Sequence, residues 1–135
     1  MPGSQGMVRF MPVFHREEPG GTGSGQAEIA DFFKALFRRD FAMLTSNGRR
    51  ALAAVLESLA LEPTDEICIL TTFGFPNVSS CVTSTVFNYC KPARVMSPAT
   101  RGVIVIHEFG VPFKDMTALS DECMRRGIPL IEDCR

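Results

Sequence analysis

Apolar positions recur along this chain in two alternating rhythms. In "AEIADFFKALFRRD", Ile29, Phe32, Phe33, Leu36 and Phe37 fall three or four residues apart, which predicts a helix with a wide apolar face. "FAMLT" (41–45) follows as a short strand. "SNGRRALAAVLESLAL" is helical again, with Ser46 and Asn47 as candidate caps and Leu52, Val55, Leu56 and Leu59 in one stripe. "ICILTT" is a continuous apolar run, as expected of a strand covered on both faces. "FPNVSSCVTSTVFNYC" predicts a helix capped near Asn77, with Val78, Val82, Thr85, Val86 and Tyr89 on one face. "ARVM" reads as a short strand and "GVIVIH" as a second fully buried one. "DMTALSDECMRRG" predicts a helix that turns Met116, Leu119 and Cys123 inward, places Arg125 and Arg126 at its negative end and stops at Gly127. "IPLIED" is the last strand.

Upstream the pattern is weak. "VRFMPVF" reads as a short strand or an arm, and "EEPGGTGSGQ" as a Gly-rich linker. Gly20 and Gly25 have the spacing of a phosphate loop, but Gln26-Ala27 stands where Lys and Ser/Thr belong, and no strand precedes it. The chain therefore divides into an irregular arm and linker, 1–26, and a packed unit, 27–135. Strand and helix alternate through that unit. This order predicts an α/β fold: three layers, a mostly parallel sheet with helices on both faces. In such sheets ligands bind beyond the carboxyl ends of the strands. "TSNGRR", "TTFGF" and "EDCR" all fall there.

Composition narrows the partners. The formal net charge is −1, and Lys and Arg are scattered, so no field favours nucleic acid or an acidic membrane. No apolar run approaches the roughly 20 residues of a membrane span, and no charged-then-apolar signal opens the chain. The expectation is a soluble protein. The five cysteines are odd in number and contain no C-x-x-C pair, which predicts reduced thiols and a cytoplasmic location. Only His15 and His107 are available to join them at a metal, and no ligand spacing supports one.

Chemistry gathers at the strand ends. The helix that begins in "TSNGRRAL" offers free N–H groups, Gly48 permits a tight turn, and Arg49 and Arg50 add charge-assisted bonds to a phosphate. The plainer alternative is a capped helix with two solvated arginines. Phe73 and Phe75 alternate around Gly74, so Phe75 is placed to stack on a planar ring; two core aromatics are the alternative. Asp133 ends a buried strand, where a carboxylate holds a ring nitrogen protonated; its alternative is an exposed acid. Together the three supply a phosphate anchor, a stacking ring and a pyridinium partner. Pyridoxal 5'-phosphate requires that set, plus a lysine.

At this point the sequence resembles the sugar aminotransferases of the fold-type I pyridoxal-phosphate enzymes, the DegT/StrS group, from about Gly25 to Asp133. "VIVIHEFGVPFKDMTALSDECMRRGIPLIEDC" is similar to the family's V-H-x-[YF]-G-x-P turn, D-M, helix, H-G or R-G, and I-E-D strand. "TSNGRRAL" resembles its S-[SN]-G-T-x-A-L phosphate loop, and "TTFGFPNVSSCV" its P-S-F-T-F/W-x-x-T-x-N-x-V segment. The resemblance implies an incomplete large domain of the pyridoxal-phosphate transferase fold. It implies cofactor phosphate at Gly48, Arg49 and Arg50, ring stacking at Phe75 and a pyridine-nitrogen carboxylate at Asp133. It also implies transfer of an amino group from glutamate to a keto-sugar nucleotide, or in some members dehydration of the sugar. No catalytic residue and no metal ligand is assigned.

Several positions depart from the pattern: Arg49 replaces a threonine, Ser80 an asparagine, and Arg135 a small residue. The family's catalytic lysine lies beyond the I-E-D strand, and none of Lys34, Lys91 and Lys114 lies in a segment resembling its loop. The resemblance also implies that "FAMLT" lacks its usual neighbour strand. "ICILTT", "ARVM", "GVIVIH" and "IPLIED" are then left as a parallel four-stranded core with a bare edge at "IPLIED". The expectation is a truncated aminotransferase, inactive alone, acting as a homodimer or with a complementing C-terminal chain. The alternatives are a non-enzymatic binding or regulatory module, or a nonfunctional product that keeps the half-fold.

Overall fold

The computed structural model describes residues 8–10, 24–75 and 79–134. In chain order the elements are β1 (Val8–Phe10), α1 (Ser24–Phe37), α2 (Gly48–Ser58), β2 (Glu66–Thr71), α3 (Ser80–Phe87), β3 (Lys91–Ala93), β4 (Thr100–Ile106), α4 (Met116–Arg126) and β5 (Leu130–Asp133). The five strands form one sheet in the order β1-β5-β4-β2-β3, and every pairing is parallel.

The two continuous apolar runs became β2 and β4 because a strand in mid-sheet must be apolar on both faces. Alternation then sorts their side chains. Ile67, Ile69, Ile104, Ile106 and Ile131 pack with Leu52 and Leu56 of α2 and Val82 and Val86 of α3. Cys68, Val103, Val105 and Leu130 pack on the other face with Leu119 and Cys123 of α4. The three-layer reading of the sequence holds. The helix ends follow local chemistry: the Asn47 side chain caps α2, and Gly127 closes α4 at φ 66°, a left-handed conformation that glycine adopts without steric cost.

Other expectations are corrected. Residues 41–45 are not a strand; they pair with nothing among the described residues, and Phe41, Met43 and Leu44 are exposed. A strand that short persists only with a neighbour, and the sheet edge nearest β5 is already taken by β1. The "IPLIED" edge is therefore not bare: Val8, Arg9 and Phe10 align with Ile131, Glu132 and Asp133. The strand expected at "ARVM" lies two residues earlier, at Lys91–Ala93, in register with Glu66–Cys68. Its Pro92 is tolerated because β3 is an edge strand. The chain then turns at Arg94, whose guanidinium donates to Ser79 Oγ at 2.6 Å. Helix α1 begins at Ser24, inside the expected linker, and its Phe32 and Leu36 are exposed rather than buried. The cap expected at Asn77 and residue Val78 lie outside the described residues, as do Gly20, His15 and Arg135.

No disulfide links the five cysteines. Burial pushes the Cys68 thiol up from 9.0 to about 11, with the neighbouring Cys123 adding to the shift, and burial also raises Cys90 and Cys123. At pH 8 such a shift lowers the thiolate fraction of Cys68 roughly 100-fold. Native protein treated with iodoacetamide should label Cys68 at least that much more slowly than urea-unfolded protein, as read by peptide mass mapping.

Candidate functional site

Register places one row of residues across the carboxyl edge of the sheet: Asp133 aligns with Ile106, and Ile106 with Thr71. At a strand spacing of about 4.8 Å, Asp133 and Thr71 stand roughly 10 Å apart. Asp133 has the same parity as Ile131, so its side chain is directed to the α2/α3 face. It is 2% exposed, which removes the exposed-acid alternative. Its carbonyl accepts the His107 N–H at 3.0 Å, which ties the ends of β5 and β4 together.

Helix α2 starts at the same end. Asn47 Oδ1 accepts the Arg50 N–H at 3.0 Å and Asn47 O accepts the Ala51 N–H at 3.1 Å. The cap thus occupies the Arg50 amide and leaves the Gly48 and Arg49 amides at the open end of the helix. The tight-turn role expected of Gly48 is corrected: its φ is ordinary, and an added Cβ would meet nothing within 4 Å. Neither the turn nor the packing asks for glycine, and the space above the helix start stays open. Arg49 Nη2 donates to Cys81 Sγ at 3.3 Å, which joins the first turns of α2 and α3. The Arg50 side chain is exposed.

Phe73 and Phe75 lie beyond β2, in the turn toward α3, and so do not share a strand face as expected. Their ring centroids are 6.2 Å apart with planes tilted 45°, and Phe75 is 57% exposed rather than a core aromatic. Gly74 has φ 73°, and an added Cβ would meet nothing within 4 Å. The fold therefore gathers the α2 start, the Phe75 turn and Asp133 at one sheet edge. Asp133 shares the α2/α3 face by parity, and the Phe75 turn leads into α3. Of the lysines, Lys34 lies on α1 beside Asp31, Lys91 at the amino end of β3, and Lys114 next to Phe113 of the α4-side core.

The opposite face carries a pair that the sequence reading did not assign. Buried His107 Nε2 lies 2.9 Å from Glu132 Oε2, while the Phe113 N–H donates to His107 Nδ1 at 3.0 Å. With Nδ1 accepting, the proton of a neutral ring sits on Nε2 and is donated to Glu132. Cys134 brings a third ligand atom, all within 4.8 Å. A metal at Nε2 would need the proton moved to Nδ1, which faces a donor, so the arrangement is built for a hydrogen bond. Its sequence signal was a polar residue closing each of two apolar runs, "GVIVIH" and "IPLIE". The third unassigned group is buried Glu108, whose Oε2 accepts the Phe73 N–H at 2.5 Å.

Residues 16–135 match the profile of the DegT/DnrJ/EryC1/StrS aminotransferase family. A protein of Micromonospora echinospora named for L-glutamine:3-amino-2,3-dideoxy-scyllo-inosose aminotransferase activity is 31% identical over 121 residues, 79% of this chain and 28% of that one. The dTDP-4-dehydro-2,3,6-trideoxy-D-glucose 4-aminotransferase of Saccharopolyspora spinosa is 30% identical over 102 residues, 65% of this chain and 26% of that one. The chain thus spans about a quarter of the length of both relatives. The crystal structure of S. venezuelae DesV with a ketimine intermediate shares the fold at a TM-score of 0.69, with 23% identity over 84% of this chain and 34% of that one. Among the described residues no helix is long and apolar enough to cross a membrane.

Proposed function

The chain belongs to the DegT/DnrJ/EryC1/StrS aminotransferase family, and from that premise we propose that residues 27–135 supply the phosphate and pyridine walls of a pyridoxal-phosphate-dependent sugar aminotransferase. One observation carries the reading: a carboxylate 2% exposed, Asp133, ends its strand on the face and at the edge where α2 begins. The residues present fit the cofactor. Open space lies above the Gly48 amide, where a Cβ would intrude and glycine is not otherwise needed.

In this reading the amides of Gly48 and Arg49 and the guanidinium of Arg50 hold the phosphate, with the helix start favouring negative charge. The exposed ring of Phe75 would stack on the pyridine. Asp133, kept from water, holds a proton at the ring nitrogen. The bound group supplies an electron sink for moving an amino group. The substrate class is a keto-sugar nucleotide, with an amino acid as donor. Lys91 opens β3 at its amino end, Lys114 adjoins the α4-side core, and none of the three lysines lies in a segment resembling the family's lysine loop, so in this reading another chain supplies the amine that carries the cofactor. A complementing chain provides it, and residues 1–135 alone do not transaminate. The reduced cysteines fit a cytoplasmic setting.

Titration of the purified chain with pyridoxal 5'-phosphate and with pyridoxal, followed by absorbance, tests this. The phosphorylated form should bind at least ~10-fold more tightly, the scale of a charge-assisted contact. Borohydride should leave no adduct concentrated on one lysine. Equal binding of the two compounds, or a stable adduct on Lys34, Lys91 or Lys114, overturns the reading.

A further inference from the structure

We propose that Glu108 is a positioning residue: its carboxylate grips the turn after β2 and so fixes the ring of Phe75 at the carboxyl edge of the sheet. The proposal rests on the cofactor reading above for what Phe75 faces, and on geometry alone for the grip.

The first three backbone amides of this turn each have an acceptor. Thr72 donates to Ile106 O at 3.2 Å, and Gly74 to Thr71 O at 3.3 Å. The amide between them, on Phe73, has no backbone acceptor and goes to Glu108 Oε2 at 2.5 Å. The grip is reciprocal. The Glu108 N–H donates to Thr72 Oγ1 at 3.1 Å, and that hydroxyl donates to Val111 O at 2.7 Å. Glu108 is itself held in a rigid place. The next residue, Phe109, is a non-glycine in the left-handed region at φ 54°, and the Val111 N–H closes back on Glu108 O at 2.9 Å. Such a backbone persists only where its surroundings over-determine it.

A carboxylate 2% exposed is costly here, since its Oε1 has no hydrogen-bond partner among the described residues. A leucine would avoid that cost but leave the Phe73 amide unmet. The structure keeps the expensive group where it controls the turn two residues before Phe75. Gly74, held at φ 73° with its own amide on Thr71 O at 3.3 Å, carries the chain from the gripped amide to Phe75 in a left-handed turn that glycine adopts without steric cost.

Amide exchange by NMR on the full chain decides the matter. In the unaltered chain the Phe73 amide should exchange roughly 10- to 100-fold more slowly than a free amide, the range of a charge-assisted bond. Exchange at the free rate overturns the proposal without any substitution. E108L should speed Phe73 exchange by that factor and remove the ring contact between Phe73 and Phe75, while Val105 and Ile131 stay protected. E108Q keeps a carbonyl acceptor and should restore both signals. An E108L chain with Phe73 still protected, or with the ring contact intact, contradicts the grip. Loss of protection at Val105 and Ile131 in E108Q as well as E108L assigns Glu108 to general stability and overturns it too. Parallel titration with pyridoxal 5'-phosphate separates the two readings: absence of binding by the unaltered chain refutes the cofactor role of the edge, whereas exchange and ring contact still decide the grip.

Discussion

Asp133→Asn should weaken pyridoxal 5'-phosphate binding roughly 10- to 150-fold, the range of a charge-assisted hydrogen bond worth about 1.5–3 kcal/mol. The argument starts from burial. A carboxylate 2% exposed at the end of β5 is removed from water, so its charge is stabilised by what it faces rather than by solvent. Asparagine keeps the size and a neutral acceptor but cannot hold a cationic ring nitrogen. The loss should therefore appear as reduced affinity and as a bound spectrum that no longer reports a protonated pyridine. Absorbance titration at fixed ionic strength reads both. The backbone contact between Asp133 O and His107 N is untouched by the change, so the fold should survive it. Affinity equal to that of the unaltered chain would remove Asp133 from the site.

The second large effect concerns the core. Ile104→Ala should cost about 2–5 kcal/mol, because Ile104 is fully buried in the middle strand and a cavity there cannot collapse between β5 and β2. For a chain of this length that corresponds to a fall in melting temperature of roughly 8–20 °C. Phe32→Ala is the contrasting change. Phe32 is the larger side chain and belongs to a regular apolar stripe, yet it is 61% exposed on α1 and enters neither core. Its loss should stay within about 0.5 kcal/mol. Thermal denaturation of the two variants side by side tests whether the core is where the sheet places it.

That contrast shows what periodicity in the sequence can settle. "GVIVIH" and "ICILTT" read as buried strands because mid-sheet residues have no polar face, and Leu52 and Leu56 read as core because their spacing matches a helix against a sheet. The same rule applied to Phe32 and Leu36 predicted a buried face that the described residues do not cover, since spacing reports a face and not its partner. "FAMLT" failed for a related reason: apolar composition alone does not supply a neighbour, and β1 had already taken the edge. The place of Asp133 at the end of a strand was legible because it closes an apolar run. Glu108 was not, because its value lies in a bond to the Phe73 amide 35 positions earlier in the chain, which no local pattern encodes. Gly48 was singled out as a turn residue, although its backbone is ordinary and only the vacant space above it gives the glycine a purpose.

Because β1 and β5 come from opposite ends of the chain, their pairing closes by far the longest loop in the sheet. Closure entropy rises with loop length, so the strands linked by short connections assemble first and β1 joins them late. Until it does, the outer flank of the strand that carries Asp133 faces water. The strand that ends in Asp133 thus gains its second neighbour only in the final stage of folding.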